Sequence, residues 1–340
     1  MEAFIHPKKE EWSDLLARPT ASYEELETLV SQVFLQVQKE GDKAVAAYTQ
    51  QFDKISLNST VVTENEIFQA ISRVSDELKE SIQLAKANIE AFHKAQQTPT
   101  VKVETQVGVN CWQEKRPIQK VGLYIPGGSA PLFSTILMLA IPAQIAGCEE
   151  IVLCSPPDKA GNLPDVVLYT AQLCGVTKIF KVGGIQAIAA MTFGTETIPS
   201  VYKLFGPGNQ YVTVAKQWAT RYNMAIDMPA GPSELLVVAD ASASPAYVAA
   251  DLLSQAEHGP DSQVILVTTE ESILAQVQKE IKQQMAVLPR KEIAEMAMAN
   301  SKMIAFASDE LAIDFINQYG PEHYIICMEK EELYVNAIQN

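Results

Sequence analysis

The chain has 340 residues, and 26 lysines and arginines against 41 aspartates and glutamates give it a formal net charge of −15. This length can bury a large core and suggests two domains, although one large α/β unit is also possible. The acidic balance repels nucleic acid and anionic membrane surfaces, which excludes nucleic-acid binding.

Targeting signals are not recognisable in the sequence. Residues 1–12 are charged and lack the apolar run of a secretory signal. The longest apolar stretch, 136–146, is too short to cross a bilayer. The sequence therefore predicts a cytoplasmic protein that does not bind membranes. Its cysteines include no C-x-x-C pair and are interpreted as reduced core thiols: Cys111, Cys148, Cys154, Cys174 and Cys327.

The first part of the chain, to about residue 100, has the pattern of helices. Two pairs of residues have capping-box spacing ahead of apolar-periodic runs, and Gly41 is placed to end the first helix. The capping-box pairs are Ser22 with Glu25 and Thr63 with Glu66. This region carries no obvious chemistry.

From Val121 the pattern changes to short β-branched runs, each followed by a turn and a helix-like segment. This alternation predicts βαβ units and mostly parallel sheets. We infer two α/β units, the second beginning near Ser233, with the helical N-terminal region packed on it. Predicted helices include 309–318 and one that Thr268 and Glu271 cap. The predicted strands are 121–125, 151–154, 178–182, 201–205, 235–239, 263–268 and 303–307.

Glycine-rich turns follow several of these strands, at Gly127–Gly128, Gly183–Gly184 and Gly206–Asn209. Ligands of parallel sheets bind at such carboxyl ends, where helix N-termini attract anions such as a pyrophosphate. None of the turns is G-x-G-x-x-G, and each alone is explained by the steric needs of a tight connection. Their shared topology is what favours nucleotide contact.

Two acid-histidine runs indicate chemistry, because histidine supplies both a base near neutral pH and a metal ligand. Gln255 and His258 are three residues apart and could reach one metal ion, although His258 could equally bond Asp261 within its loop. Glu322 and His323 could share one cleft as an acid-base pair, or form a solvated loop pair.

Six runs lie in series along nearly the whole chain: VGLYIPGG (121–128), VGGIQA (182–187), GPGN (206–209), MPAGPS (228–233), DLLSQAEHGPD (251–261) and GPEH (320–323). Together they closely resemble the histidinol dehydrogenase family. The family fold implied is α/β, with two incomplete Rossmann-like domains, mostly parallel sheets and a helical N-terminal region. The implied division is an N-terminal arm (1–20), a discontinuous first domain (21–126 and 233–340) and a second Rossmann-like domain (127–232).

The resemblance also implies an activity. Family members oxidise L-histidinol to L-histidine, the last steps of histidine biosynthesis, through an enzyme-held aldehyde and with two NAD molecules. They are intertwined homodimers with a bound zinc ion, although whether the metal here would be zinc or manganese stays open.

By motif match, the resemblance assigns a role to each site residue. His323 would be the base for both oxidations, and Glu322 would activate water. The remaining assignments are NAD contacts at Tyr124, Gln186 and Asn209, substrate contacts at Ser233, Gln255, His258 and His323, and zinc ligands at Gln255 and His258.

The sequence departs from the family pattern near its end. Family members continue with an aspartate and a histidine that complete the zinc site, and neither is found after Cys327; Tyr324 stands where leucine is usual. The chain is therefore interpreted as truncated, without the family's C-terminal domain and with an incomplete zinc site. The alternatives are a non-catalytic dinucleotide-binding or dimerising module on the same scaffold, and an aldehyde dehydrogenase, which would need a nucleophilic cysteine.

Overall fold

Two five-stranded parallel sheets organise the chain. The computed structural model describes residues 1–19, 24–127, 132–176, 178–229, 233–329 and 331–339. Its strands are β1 (Glu2–Ile5), β2 (Lys102–Gln106), β3 (Val109–Trp112), β4 (Lys120–Tyr124), β5 (Glu150–Ser155), β6 (Lys178–Lys181), β7 (Lys203–Phe205), β8 (Ala225–Ile226), β9 (Glu234–Ala239), β10 (Gln263–Thr268), β11 (Lys302–Ala305) and β12 (His323–Cys327).

Helices connect most of these strands. They are α1 (Trp12–Leu15), α2 (Glu24–Glu40), α3 (Asp42–Phe52), α4 (Glu64–Arg73), α5 (Asp76–Ala95), α6 (Phe133–Ala146), α7 (Asp165–Leu173), α8 (Gly184–Phe193), α9 (Gln210–Ala219), α10 (Pro245–Ala256), α11 (Glu271–Met285), α12 (Lys291–Ala299), α13 (Asp309–Tyr319) and α14 (Glu332–Ala337). Among the described residues, no helix is long and apolar enough to cross a membrane.

The chain forms two units, which we call the central unit (Ser22–Ala230) and the terminal unit (Met1–Ala21 with Gly231–Asn340). The sheet of the central unit has the strand order β6-β5-β4-β7-β8, with all neighbours parallel. Leu123 faces a core that helices α4 to α7 share, and Tyr124 faces the core of α2, α3, α8 and α9. Side chains alternate along a strand, so both faces are covered, as a parallel sheet requires.

The terminal unit repeats this design. Its sheet has the order β1-β11-β10-β9-β12, again with parallel neighbours. Leu235 and Val237 face a core with α10, α11 and α12, whereas Leu236 and Val238 face one with α1 and α13. The ring of Trp12 packs edge-on against Phe315, with 5.4 Å between ring centres, and this contact holds α1 against α13.

The α/β class, the parallel sheets and all seven predicted strands are confirmed, and no strand end differs from its prediction by more than two residues. Five strands were not predicted. Strands β1 and β8 are short, β2 and β3 form an exposed antiparallel hairpin, and β12 begins at a histidine that the sequence analysis assigns to a loop. Strands β1, β2, β3 and β8 lack the continuous apolar run of four or more residues that identifies a buried parallel strand, whereas β12 has such a run at 324–327 that was not recognised as a strand.

Several local predictions can be compared directly. Gly41 follows α2 with φ +54°, and Thr63 caps α4 together with Glu66, both as predicted. The predicted cap at Thr268 is wrong, because Glu270 occupies the N-cap position of α11, without a side-chain capping hydrogen bond, and Thr268 ends the buried strand β10. The predictions at Ser22, Gly128, Gly231 and Pro232 lie outside the described residues. All five cysteines are free, but Cys111 lies exposed on β3, which corrects its assignment to the core.

The division that the resemblance implies also needs correction. Residues 21–126 were expected to join 233–340, but β4 pairs with β5 and β7 in the central unit. Apolar residues of α2 to α5 fill both cores of that sheet. The expected N-terminal arm instead belongs to the terminal unit, where β1 extends the sheet beside β11. Burial of apolar helix faces therefore determines where the N-terminal helices belong.

Candidate active site

A ligand crevice is expected where the strand order of a doubly wound sheet reverses. In the central unit this reversal falls between β4 and β7. Tyr124 ends β4, Gly206 directly follows β7, and the Asn209 side chain caps α9 by accepting a hydrogen bond from the Val212 amide at 3.2 Å. Two of the three predicted NAD contacts thus follow the strands that flank the reversal.

Gln186, the third predicted contact, lies fully buried in α8. Its Nε2 donates to Oδ2 of Asp53 at 3.3 Å, while its buried Oε1 has no hydrogen-bond partner among the described residues. The Tyr124 hydroxyl accepts a bond from the Gly184 amide at 3.1 Å, and burial raises the pKa of Tyr124 to about 12. A buried oxygen without a partner requires an explanation, and a polar ligand or an ordered water molecule would supply the missing hydrogen bond.

A cleft of about 330 Å³ opens beside this polar cluster. Asp53 lines it, together with Gly127 after β4 and Ser155 at the end of β5. This volume is within the range of small-molecule and cofactor sites. The cleft therefore occupies the carboxyl edge of the sheet, where the fold predicts a dinucleotide.

The turn at Gly206 is held by a buried ion pair. The Gly206 amide donates to Oδ2 of Asp227 at 2.8 Å, and its carbonyl accepts a bond from Nζ of Lys216 at 2.7 Å. Lys216 is buried and forms an ion pair with Asp227. Both polar groups of the Gly206 backbone are thus fixed, which sets the course of the chain beside β4.

Substituting Gly206 by alanine is expected to destabilise the protein strongly. At φ +132° a Cβ atom would lie 2.1 Å from the backbone oxygen of Tyr124, so the turn or β4 would have to move. We expect a loss of about 2–4 kcal/mol in the free energy of unfolding. Gly108→Ala is the matched control, since Gly108 has φ +82° with no atom within 4 Å of the added Cβ. Urea unfolding that gives equal losses for the two variants would contradict the prediction.

Asp53 gives this cleft a pH dependence. Burial raises the pKa of its carboxyl, so the native protein holds the proton more tightly than the unfolded chain. Ionisation of Asp53 therefore costs native stability as the pH rises above the ordinary aspartate range. Asp53→Asn keeps an acceptor for Gln186 and is expected to raise the melting temperature at neutral pH. This gain should shrink as the pH falls toward the ordinary aspartate pKa; a gain independent of pH would contradict the assignment.

The predicted site residues of the terminal unit lie at the amino ends of its strands, whereas the cleft of the central unit lies at the carboxyl ends. Ser233 precedes β9, His258 lies in the connection from α10 to β10, and His323 begins β12 beside Leu235 of β9. The Ser233 carbonyl accepts a bond from the Gln263 amide at 3.0 Å, which ties the starts of β9 and β10 together. The amino ends of the strands, and not the carboxyl ends, therefore carry these residues.

Glu322 and His323 are brought together. Nδ1 of His323 lies 3.6 Å from Oε2 of Glu322, which also accepts a hydrogen bond from the Glu234 amide at 3.2 Å. The His323 side chain is 58% exposed and the Glu322 side chain is 43% exposed, so a substrate or water can reach both. Neighbouring side chains within a strand point to opposite faces of the sheet. Glu322 precedes the strand, so its side chain can turn toward that of His323.

Gln255 and His258 lie at the end of α10, where the His258 amide donates to the Gln255 carbonyl at 3.2 Å. No hydrogen bond or ion pair between described residues joins either of them to Glu322 or His323. Across the described ranges, no three His, Cys, Asp or Glu residues converge as a metal site. Gln255 and His258 are two of the three or four protein ligands that a zinc site takes, and their assignment as ligands stays a prediction.

Sequence reasoning missed the residues that support the site. Asp53, Lys216 and Asp227 lie outside every recognisable motif and reach the site only through the fold. A single buried lysine or aspartate has no sequence pattern of its own. Asp53 follows α3 directly, at its C-cap position. In the sequence, an acid at the end of a helix looks the same whether it is buried or exposed.

A parallel sheet with a cleft at its carboxyl edge and an exposed carboxylate-imidazole pair are typical of α/β oxidoreductases. The sequence profile of histidinol dehydrogenase matches residues 16–340. The chain belongs to the histidinol dehydrogenase family.

Individual relatives agree with this assignment. Over 341 residues the chain is 55% identical to the histidinol dehydrogenase of Bacteroides thetaiotaomicron, covering 99% of this chain and 80% of that protein. It is 50% identical to the histidinol dehydrogenase of Yersinia pestis over 335 residues, covering 98% of this chain and 75% of that protein. The crystal structure of histidinol dehydrogenase from Elizabethkingia anophelis matches with a TM-score of 0.97 at 54% identity, covering 100% of this chain and 78% of that one.

Proposed function

We propose that this chain oxidises L-histidinol to L-histidine in two NAD-dependent steps that pass through the aldehyde, the last steps of histidine biosynthesis. The observation that carries the proposal is the Glu322–His323 pair, with 3.6 Å between Nδ1 and Oε2, in a chain of this family. An alcohol oxidation needs a base near neutral pH, and aldehyde oxidation also needs an activated water.

NAD is the oxidant in this proposal, and Tyr124, Gln186 and Asn209 are its contacts. When bound, NAD accepts hydride from the substrate carbon. The free Oε1 of Gln186 can accept a hydrogen bond, and the Tyr124 hydroxyl keeps its proton at neutral pH and can donate one. Asp53 accepts a hydrogen bond from Nε2 of Gln186 and so fixes which way that amide points.

His323 is the proposed base in both oxidations. Its imidazole stands exposed at the start of β12 and can take the proton from the substrate hydroxyl as hydride leaves. In the second oxidation the hydrated aldehyde presents the same O–H and C–H groups. One base can therefore serve both steps.

Glu322 is proposed to activate the water that hydrates the aldehyde. Oε2 is held by the Glu234 amide, which fixes the carboxylate while its other oxygen remains free for a water molecule. A carboxylate at this position accepts a proton from water as the carbon–oxygen bond forms. The two adjacent side chains thereby divide the proton transfers between them.

Ser233, Gln255 and His258 are the proposed substrate contacts at the same sheet edge. Their serine, amide and imidazole groups suit the polar groups of an amino alcohol that carries an imidazole. Gln255 and His258 are half of a four-ligand metal set, and we assign no step to a metal. We also propose a homodimer, in keeping with the family resemblance; light scattering would test it.

The test is formation of NADH from L-histidinol and NAD by the 340-residue chain, with and without added zinc. We expect two NADH per L-histidinol consumed, because oxidation of an alcohol to an acid releases two hydrides. NAD binding without any turnover, in both metal conditions, would favour the non-catalytic dinucleotide-binding module instead.

A further inference from the structure

Residues 14–18 lie across the amino ends of three strands of the terminal unit, and we call them the N-terminal strap. Nζ of Lys302, the first residue of β11, donates to the Leu15 carbonyl at 2.8 Å. Nε2 of Gln263, the first residue of β10, donates to the Ala17 carbonyl at 3.1 Å. The strap thus follows the strand order from β11 to β10.

The strap continues to the next strand, where Arg18 meets Glu234, the first residue of β9. The guanidinium forms two hydrogen bonds to the carboxylate, of which Nη2 to Oε2 is 3.0 Å. Glu234 is only 10% exposed, so this fork neutralises an almost buried charge. Arg18 therefore completes a sequence of contacts to β11, β10 and β9.

Arg18 also reaches the segment that leads to Glu322. Its Nη2 donates to the Tyr319 carbonyl at 2.7 Å and to the Gly320 carbonyl at 3.3 Å. Its guanidinium carbon lies 4.6 Å from the centre of the Tyr319 ring. The Tyr319 hydroxyl in turn donates to Oε1 of Gln263 at 2.8 Å. Tyr319, the last residue of α13, is thus held through both its backbone carbonyl and its side chain.

The same network touches the proposed acid-base pair. The backbone amide of Glu234 donates to Oε2 of Glu322, and Glu322 lies beside His323. Arg18 consequently controls Glu322 from two directions, through the carbonyls that precede it and through the residue whose amide holds it. No other cation forms an ion pair with Glu234 in the described part of the chain.

We propose that Arg18 is a positioning residue for Glu322 and His323, an inference that rests on the proposed oxidation of L-histidinol. Without the guanidinium, the carbonyls of Tyr319 and Gly320 lose their donor, and Glu234 is left as an unpaired, nearly buried charge. Such a charge draws in water or moves outward, which shifts its own amide and with it Glu322.

Arg18→Met tests this proposal, with Lys9→Met as the matched control. Lys9 lies in the same N-terminal segment and pairs with Asp314 of α13 at 2.7 Å, but it does not contact 319–323. We expect kcat to fall about ten- to a hundredfold in Arg18→Met, since small displacements of reacting groups cost this much. KM for NAD should stay unchanged because the proposed cofactor contacts lie in the central unit. Lys9→Met should keep the original kcat.

Two further variants separate positioning from folding. Arg18→Met combined with Glu234→Gln removes the unpaired charge but leaves the Tyr319 and Gly320 carbonyls without their donor, so it should recover stability and only part of kcat. Arg18→Lys keeps the charge but not the fork and should recover kcat in part. Equal kcat in Arg18→Met and Lys9→Met, or full recovery of kcat in the double variant, would overturn the proposal.

Hydrogen exchange measured by mass spectrometry gives a readout that needs no turnover. Arg18→Met should speed exchange in peptides that cover 319–323, while peptides of the central unit and the Lys9→Met protein stay as in the original chain. If the original chain does not oxidise L-histidinol, the proposed function fails, and exchange alone decides on Arg18. Unchanged exchange in 319–323 would then overturn its role.

Discussion

Replacing His323 by glutamine is expected to lower kcat about a hundred- to ten thousandfold for both L-histidinol and L-histidinal, the usual contribution of a general base. Glutamine offers a polar group of similar size but cannot accept a proton near neutral pH. The side chain is 58% exposed at the start of an edge strand, so the fold should tolerate the change. NADH formation from each substrate, measured separately, gives the two rates.

His93→Gln is the control for a lost histidine. His93 lies in the last turn of α5 in the central unit, and the proposed chemistry does not involve it. Its replacement should leave both rates unchanged. If His323→Gln lost only one of the two oxidations, a single shared base would be ruled out, and another group would have to serve the remaining step.

Replacing Glu322 by glutamine is expected to separate the two oxidations. The first, from alcohol to aldehyde, should remain within about threefold, while the second should slow about a hundredfold because the water loses its base. The amide oxygen of glutamine can still accept the bond from the Glu234 amide, so the loop should keep its position. Rapid-mixing measurement of the first NADH, followed by steady-state oxidation of added L-histidinal, resolves the two steps.

Glu329→Gln is the matched control for Glu322→Gln, since Glu329 is an exposed acid soon after β12. It removes the same charge near the same strand and should change neither rate. Equal losses in alcohol and aldehyde oxidation by Glu322→Gln would contradict the division of labour between Glu322 and His323.

The sequence was sufficient to predict the buried part of the fold. Strands such as 263–268 contain a continuous apolar run, here 264–267, because helices cover both faces of the sheet and every side chain is buried. The edge strands β1 and β12 were not predicted; the apolar run of β1 is short, and that of β12 (324–327) directly follows the acid-histidine pair. Hydrogen bonding to a neighbouring strand makes them strands, and that neighbour lies far away in the sequence.

The site divides in the same way. Glu322 and His323 stand in one recognisable run, so their proximity could be anticipated, and the structure places them 3.6 Å apart. Arg18 and Asp53 could not be found, because each acts on a segment more than a hundred residues away. Spacing rules describe neighbours along a helix or strand, whereas such contacts exist only after the sheet has assembled.

The pairing of β1 with β11 has a consequence for biosynthesis of the chain. Glu2 leaves the ribosome among the first residues, and its partner Lys302 is made long afterwards. The central unit, which lies between them in sequence, can form its own sheet in that interval. During synthesis the first strand therefore stays unpaired until β11 has been made, and unpaired strand edges make such intermediates prone to aggregation.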